Sequence, residues 1–366
     1  MASQTTAGQR VLVVGGGIVG ASSAYHLAKA GAAVTLLDQR QPVQGTTAAS
    51  FAWLNGSSGL SQAYVRLRLA SMQAWRDLDQ SLAGALKIAW PGCISWRASE
   101  AETERFIAER QAWGYPLELI DRARILELEP NLLQPPGCAA RMAGEGELDP
   151  VHAATTLLAA AREAGADVRY GVPVLGFQVA NGKVTGVDIP GERLPADHVV
   201  LAAGTETGAL AALAGAHVPM TSTPGVGFTC KPGPRLVYGL VVSQDFEMKQ
   251  GADGRFVSVA NFAEDEPAPP LAQERAVRRE LATIARHVRG AEALEVERTV
   301  LGYRPIPPDG FPAVGASSQV AGLYIATMHS GVTMAAIVGR YAVAEVLEGA
   351  RVAELAPFRP ERFQSA

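Results

Sequence analysis

Cysteine is scarce: Cys93, Cys138 and Cys230 are the only three in 366 residues. They are far apart, odd in number and in no CxxC or metal-ligand spacing, which argues against a disulfide framework or a cysteine-built metal centre. No metal site is expected, and reduced thiols in a cytoplasm are the simplest reading. Positive charge is also short. The 32 basic residues are outnumbered by 36 acidic ones, giving a net charge of -4, so no basic field exists to hold a nucleic acid. Lysine is rare, a bias we assign to codon usage. The opening MASQTTAGQR has no apolar core of a secretory signal. The longest uncharged stretch, residues 207–230, is interrupted by Gly, Pro and Thr, so no membrane span is expected.

What is present is a globular composition, 48% hydrophobic and 19% charged, on a chain long enough for two domains or one elaborated α/β domain. Residues 11–20 read VLVVGGGIVG. Residues 11–14 have a buried-strand pattern, residues 18–29 carry helix formers up to Gly31, and AVTLLD follows as a second strand. Gly15, Gly17 and Gly20 stand where a strand-to-helix turn needs positive φ, or where a Cβ would block a phosphate approaching free N–H groups. With 38 glycines in the chain, chance alone yields such a pattern about 0.4 times, so context must carry the assignment. Context is supplied by the flanking strand and helix, and by Asp38, placed to accept ribose hydroxyls. A solvated Asp38 that only caps the loop is the alternative. The stretch names an ADP moiety and leaves a nicotinamide dehydrogenase and an FAD enzyme equally open.

Further along, residues 151–164 read as a helix, 167–177 and 184–189 as strands, and HVVLAAG as another strand of the first unit. Residues 78–149, with Trp90, Trp96 and Trp113, read as an insertion able to form a separate layer. From Gly225 to Glu264, VGFTC, RLVYGLVVS and RFVSVAN suggest an antiparallel sheet, with GADG as a turn. Residues 271–288 place Val277, Leu281, Ile284 and Val288 on one face of a surface helix. GLYIATM then makes a strand, and a long helix over 332–347 follows HSG.

Four segments, taken in order, carry a resemblance over nearly the whole chain. They are GTTAAS at residues 45–50, GELDPVHAATTLLAAAREAGADVRYGVPV followed by HVVLAAG, GYRPIPPDGFPAVG, and LYIATMHSGVTMAAIVGR. Together they resemble the D-amino-acid oxidase superfamily of FAD-dependent enzymes, which includes glycine oxidase, sarcosine oxidase and bacterial D-amino-acid dehydrogenases. The resemblance implies an α/β fold with an α+β second domain: a Rossmann-like FAD-binding domain (1–77, 150–222 and 305–366) and an antiparallel-sheet substrate domain (78–149 and 223–304). It implies FAD contacts at Gly15, Gly17, Ile18, Val19 and Gly20, then at Asp38, Gln39 and Arg40. Further contacts are implied at Thr46, Thr47 and Ala48, at Val174, Ala203 and Gly204, and at Arg304. The last set is His329, Ser330, Gly331, Val332, Thr333 and Met334. A helix end at Val332 would stabilise negative charge on reduced flavin; the alternative leaves Ser330 as a plain N-cap. His329 is read as a packed or hydrogen-bonded histidine rather than a base.

In GYRP the resemblance makes Arg304 the catalytic-site anchor for a substrate carboxylate, a task suited to a planar guanidinium. A structural ion pair with Asp309 is the alternative. Gly302 stands where the sarcosine-oxidase branch attaches flavin through cysteine, and no histidine follows Gly45, so non-covalent FAD is expected. Phe246 is the nearest counterpart of a substrate-side tyrosine in glycine oxidase. Tyr238 or Tyr303 could substitute, although sheet or core positions suit them better. Lys249 resembles the lysine that assists oxygen chemistry in sarcosine oxidase, but a solvated hairpin lysine fits better. The expected partner is a small carboxylate-bearing amine, with homo-oligomerisation left open. Hydride transfer from its α-carbon to flavin N5 would give an imine that hydrolyses, with oxygen or another carrier as acceptor. Oxidation of a 2-hydroxy acid or other alcohol on the same scaffold is the alternative, and an NAD-dependent dehydrogenase stands behind it.

Overall fold

A computed structural model describes residues 8–41, 43–263 and 272–364. The chain opens with β1 (Arg10–Val14), α1 (Ile18–Lys29), β2 (Ala33–Asp38), β3 (Trp53–Leu54) and α2 (Gln62–Ser81). Next come β4 (Cys93–Ser95), α3 (Glu100–Ala112), β5 (Glu118–Asp121), α4 (Arg122–Leu128), β6 (Cys138–Met142), β7 (Gly146–Glu147) and α5 (Pro150–Glu163). They are followed by β8 (Asp167–Tyr170), β9 (Gly176–Ala180), β10 (Lys183–Ile189), β11 (Glu192–Pro195), β12 (His198–Leu201) and α6 (Thr207–Leu213). The rest comprises β13 (Thr221–Cys230), β14 (Leu240–Val242), β15 (Glu247–Gln250), β16 (Phe256–Ala260), α7 (Gln273–His287), β17 (Val296–Ile306), β18 (Ala313–Ala316), β19 (Leu323–Thr327) and α8 (Gly331–Ala342).

The first sheet has the order β18-β19-β12-β1-β2-β8. Its pairings are parallel except for β18 on β19. Central β1 is buried on both faces, which is why its sequence is an unbroken apolar run. Val11 and Val13 pack on the side of α1, α5 and α8. Leu12 and Val14 pack on the other side, against β10, β11 and α6. Small residues bring α1 and α8 together: a Cβ on Gly339 would stand 2.5 Å from Ser22 Oγ, and that hydroxyl donates to Ala335 O at 2.7 Å. The N-termini of the two helices are thereby held side by side.

The second sheet has the order β17-β13-β16-β15-β14-β4-β6-β5. One face carries α7, where Val277 and Ile284 are buried as the spacing predicts. The other face turns toward the first unit, with Val259 and Met142 packing against Phe51, Val65 and Tyr115.

Four expectations need correction. The insertion at 78–149 adds no separate layer, because β4 pairs in parallel with β14 and so extends the second sheet through β6 and β5. Residues 167–177 hold two strands in different sheets, β8 beside β2 and β9 beside β10. Gly171, at φ +70°, lies in the break between them. The helix expected to reach residue 347 ends at Ala342 and passes into a π-helical turn, Val343–Leu347. Within RLVYGLVVS only Leu240–Val242 is a strand. Glu264 and Leu271, the ends of two expected segments, lie outside the described residues.

Candidate active site

The turn after β1 is built for close approach. Gly15 has φ +110°, and a Cβ there would lie 2.4 Å from Ala202 O, so no other residue fits. Gly20 is needed for packing, since its Cβ would meet Gly15 O at 1.8 Å. Asp38 Oδ2 accepts from Gly16 N–H at 2.6 Å and Oδ1 from Arg40 N–H at 2.8 Å. Asp38 therefore braces the loop, while each oxygen keeps capacity for another donor. Thr47 Oγ1 accepts from Ile18 N–H at 3.1 Å, tying the GTTAAS turn to the helix tip. Among the described residues, the N–H groups of Val19 and Gly20 have no acceptor in the protein.

The tip of α8 has the same character. Ser330 does not cap the helix with its side chain; its Oγ accepts from Arg68 Nη1 at 2.5 Å. The plain N-cap alternative is thereby excluded. Met334 N–H reaches Ser330 O, but the N–H groups of Gly331, Val332 and Thr333 have no protein acceptor among the described residues. Such a helix end presents donors and the positive pole of the dipole together.

Both tips open on one cavity of about 680 Å³. Gly15, Gly17, Ile18 and Val19 line it with Asp38, Gln39 and Arg40. Thr46, Thr47 and Val174 form a second wall, and Ala203 and Gly204 a third. His329, Gly331 and Val332 close the far end. Gly20 and Ala48 lie behind this surface. Thr333 turns to Trp53 O, which accepts from its Oγ1 at 2.9 Å, and Met334 is buried in the core. A long cavity with unsatisfied donors at both helix tips, and glycines where a Cβ would intrude, fits a dinucleotide cofactor.

Beside the far end stands Arg304 on β17, outside the cavity wall. Its Nη1 donates to Pro224 O at 2.9 Å and its Nη2 to Asn261 Oδ1 at 2.8 Å. Asp309 is not its partner, because that carboxylate pairs with Arg362 at 2.7 Å. His329 has no hydrogen-bond partner among the described residues. Desolvation, then the charges of Arg304 and Arg68, lower its pKa to about 4.

Strand β15 alternates across the second sheet. Phe246 and Met248 face α7, and Phe246 lies 5.8 Å from Trp96 and 5.0 Å from His287, ring to ring. Phe246 is a core aromatic, and Glu247 takes the face turned to the first unit. No described residue hydrogen-bonds the Glu247 carboxylate. Burial pushes it up to about 7, against the downward pull of Arg304 and Lys249. Lys249 is no solvated hairpin lysine: it is buried, with Nζ 3.2 Å from Glu147 Oε2 and 3.2 Å from Leu148 O. Tyr303 lines the cavity, and Tyr238 does not.

The family model described as "FAD dependent oxidoreductase", DAO, matches residues 10–345. The chain is a DAO-family FAD-dependent oxidoreductase. It is 28% identical to a D-amino acid dehydrogenase of Cereibacter sphaeroides, over 89% of each chain. It is 29% identical to YurR of Bacillus subtilis, described as an uncharacterized oxidoreductase, covering 95% of this chain and 98% of that protein. The crystal structure of glycine oxidase from Geobacillus kaustophilus superposes with TM-score 0.86 at 24% identity, over 96% of this chain and 98% of that one.

At Gly302 of this DAO-family enzyme a Cβ would stand 2.5 Å from Ala49 Cβ. A cysteine there would collide with the turn that lines the cavity. Sequence reasoning missed Arg68, Asn261 and Glu247. The only signal was an acid and a base two residues apart, in a segment too polar to read as a buried strand. No described helix is long and apolar enough to cross a membrane.

Proposed function

We propose that this FAD-dependent oxidoreductase oxidises the C–N bond of an amino acid or N-alkylamino acid, with the substrate carboxylate held by Arg304. The observation that carries this reading is Arg304 itself. Its guanidinium stands beside the cofactor cavity with two neutral acceptors, and no described carboxylate lies within ion-pair distance. A guanidinium left in that state suits a planar anion. Glu247 is a carboxylate without a hydrogen-bond donor and supplies the complementary acceptor for the substrate's N–H protons. The D-amino acid dehydrogenase relative supports an amine substrate.

Bound FAD would supply the two-electron acceptor for a hydride from the substrate α-carbon, and the released imine hydrolyses in water. The protein's share is to orient and to move protons. Arg304 fixes the carboxylate end, Glu247 draws the amine toward the opposite side, and the two together set which face of the α-carbon is presented. His329 stays neutral on the cavity wall and adds no competing positive charge.

The test is anaerobic mixing of the FAD-loaded protein with D- and L-amino acids, N-methyl amino acids and 2-hydroxy acids. Bleaching of the flavin by at least one amine and by no hydroxy acid is the expected result. Bleaching by hydroxy acids alone would overturn the proposal.

A further inference from the structure

Six charged residues are buried among those described: Arg68, Glu129, Glu145, Lys249, Glu345 and Arg359. Arg359 pairs with Glu345 through both terminal nitrogens, at 2.5 and 3.1 Å. Lys249 pairs with Glu147. Arg68, only 2% exposed, pairs with no carboxylate among the described residues. Its Nε donates to Asn55 O at 2.9 Å, and its Nη2 to Asn55 Oδ1 at 2.5 Å and Ser58 Oγ at 2.9 Å. Its Nη1 donates to Ser330 Oγ, and the guanidinium lies 5.1 Å from the Tyr64 ring centroid. Every partner is neutral.

A buried cation without a counter-charge is strongly unfavourable, and its location compounds the cost. Ser330 is the residue before α8, so Arg68 stands behind a helix tip whose dipole is already positive and whose first N–H groups are unsatisfied. Two positive sources of this kind converge where a negative charge is to be received. The Asp38 end of the cavity suits ribose, which leaves the α8 end to the redox-active ring. That ring gains negative charge on its N1–C2 carbonyl edge when it takes up electrons.

We infer that Arg68 is a positioning residue for charge: a buried, unpaired guanidinium that acts through Ser330 and the α8 tip to stabilise the reduced, anionic cofactor. The inference rests on FAD as cofactor and is independent of which substrate is oxidised. Nature of the partners matters as well as charge. Asn55 and Ser58 satisfy the guanidinium's hydrogen bonds without neutralising it, so its field persists in a region from which water is excluded.

The experiment measures the midpoint potential of bound FAD by equilibration with reference dyes, together with the Kd for sulfite. Sulfite adds to oxidised flavin and leaves negative charge on the same edge, so its affinity reports anion stabilisation without turnover. Arg68→Gln is expected to disfavour the reduced state about tenfold, a fall of about 30 mV for a two-electron couple, and to weaken sulfite about tenfold. Asn55→Asp, which sets a carboxylate against Arg68 while leaving the arginine in place, should do the same. Arg68→Lys should stay close to wild type. If Arg68→Gln fails to fold, Asn55→Asp alone decides. Wild-type potential and sulfite affinity in Asn55→Asp would overturn the inference, as would an Arg68→Lys protein indistinguishable from Arg68→Gln.

Discussion

The guanidinium of Arg304 lies directly over Gly225, its Nη2 2.7 Å from where a Cβ on that glycine would stand. The absence of a side chain at 225 is what lets the arginine lie back toward Pro224 O and Asn261. Gly225→Ala should displace the guanidinium, which is the free end of a flexible side chain, and leave the sheet intact. We expect KM for the oxidised amino acid to rise about tenfold, the loss of roughly one oriented charge-assisted hydrogen bond, with FAD content unchanged. Steady-state kinetics alongside the flavin-to-protein absorbance ratio checks both halves.

Glu247 gives the reaction a pH signature. Its carboxyl is raised to about 7, so it loses its proton as pH rises through neutrality. If the carboxylate receives the substrate's amine, kcat/KM climbs through that range in the wild type. Glu247→Gln cannot titrate, and its profile should lack the inflection while keeping the potential of the bound FAD.

Lys249 and Glu147 form a buried pair between the second sheet and the short β3–β7 ladder. Removing one member strands the other, so Lys249→Met should cost about 3 kcal/mol. The double variant Lys249→Met/Glu147→Gln should recover most of it. Urea denaturation of the wild type, Lys249→Met, Glu147→Gln and the double variant supplies the cycle, and additive losses would show that the pair is not coupled.

His26, on α1 against α8, bears on acid stability. Desolvation first, then the charges of Arg340 and Lys29, lower its pKa to about 4, so the unfolded chain binds a proton that the folded chain refuses. Its contribution is intact above about 6.5 and is lost as pH falls toward 4, amounting to about 2 kcal/mol between pH 7 and 5. The fall should be shallower in His26→Gln, read from unfolding midpoints at the two pH values.

Local features were legible in the sequence, and long-range ones were not. The strand, glycine turn and helix at residues 11–29, and AVTLLD after them, announce themselves because hydrophobic period and turn chemistry agree within a few residues. The β15 segment EMKQ hides, because a strand carrying a buried ion-paired lysine and a half-buried acid looks like a solvated turn. Arg68 reads as one polar residue of a helix until the fold sets it on Ser330, 262 positions away. Parallel pairing of β4 with β14 likewise joins segments nearly 150 residues apart, with no local mark on either. The GYRP motif was visible as a string, yet the need for glycine at 225 arises only from the register of β13 against β17.

The account turns on Arg304 as the grip for a substrate carboxylate beside bound FAD. The most direct measurement is anaerobic titration of wild-type and Arg304→Met proteins, both loaded with FAD, with the amino acid that bleaches the wild type fastest. The account predicts the same flavin content in both, and a half-bleaching concentration at least about a hundredfold higher in the variant, in keeping with loss of a bidentate charged contact. Equal titration curves would contradict it.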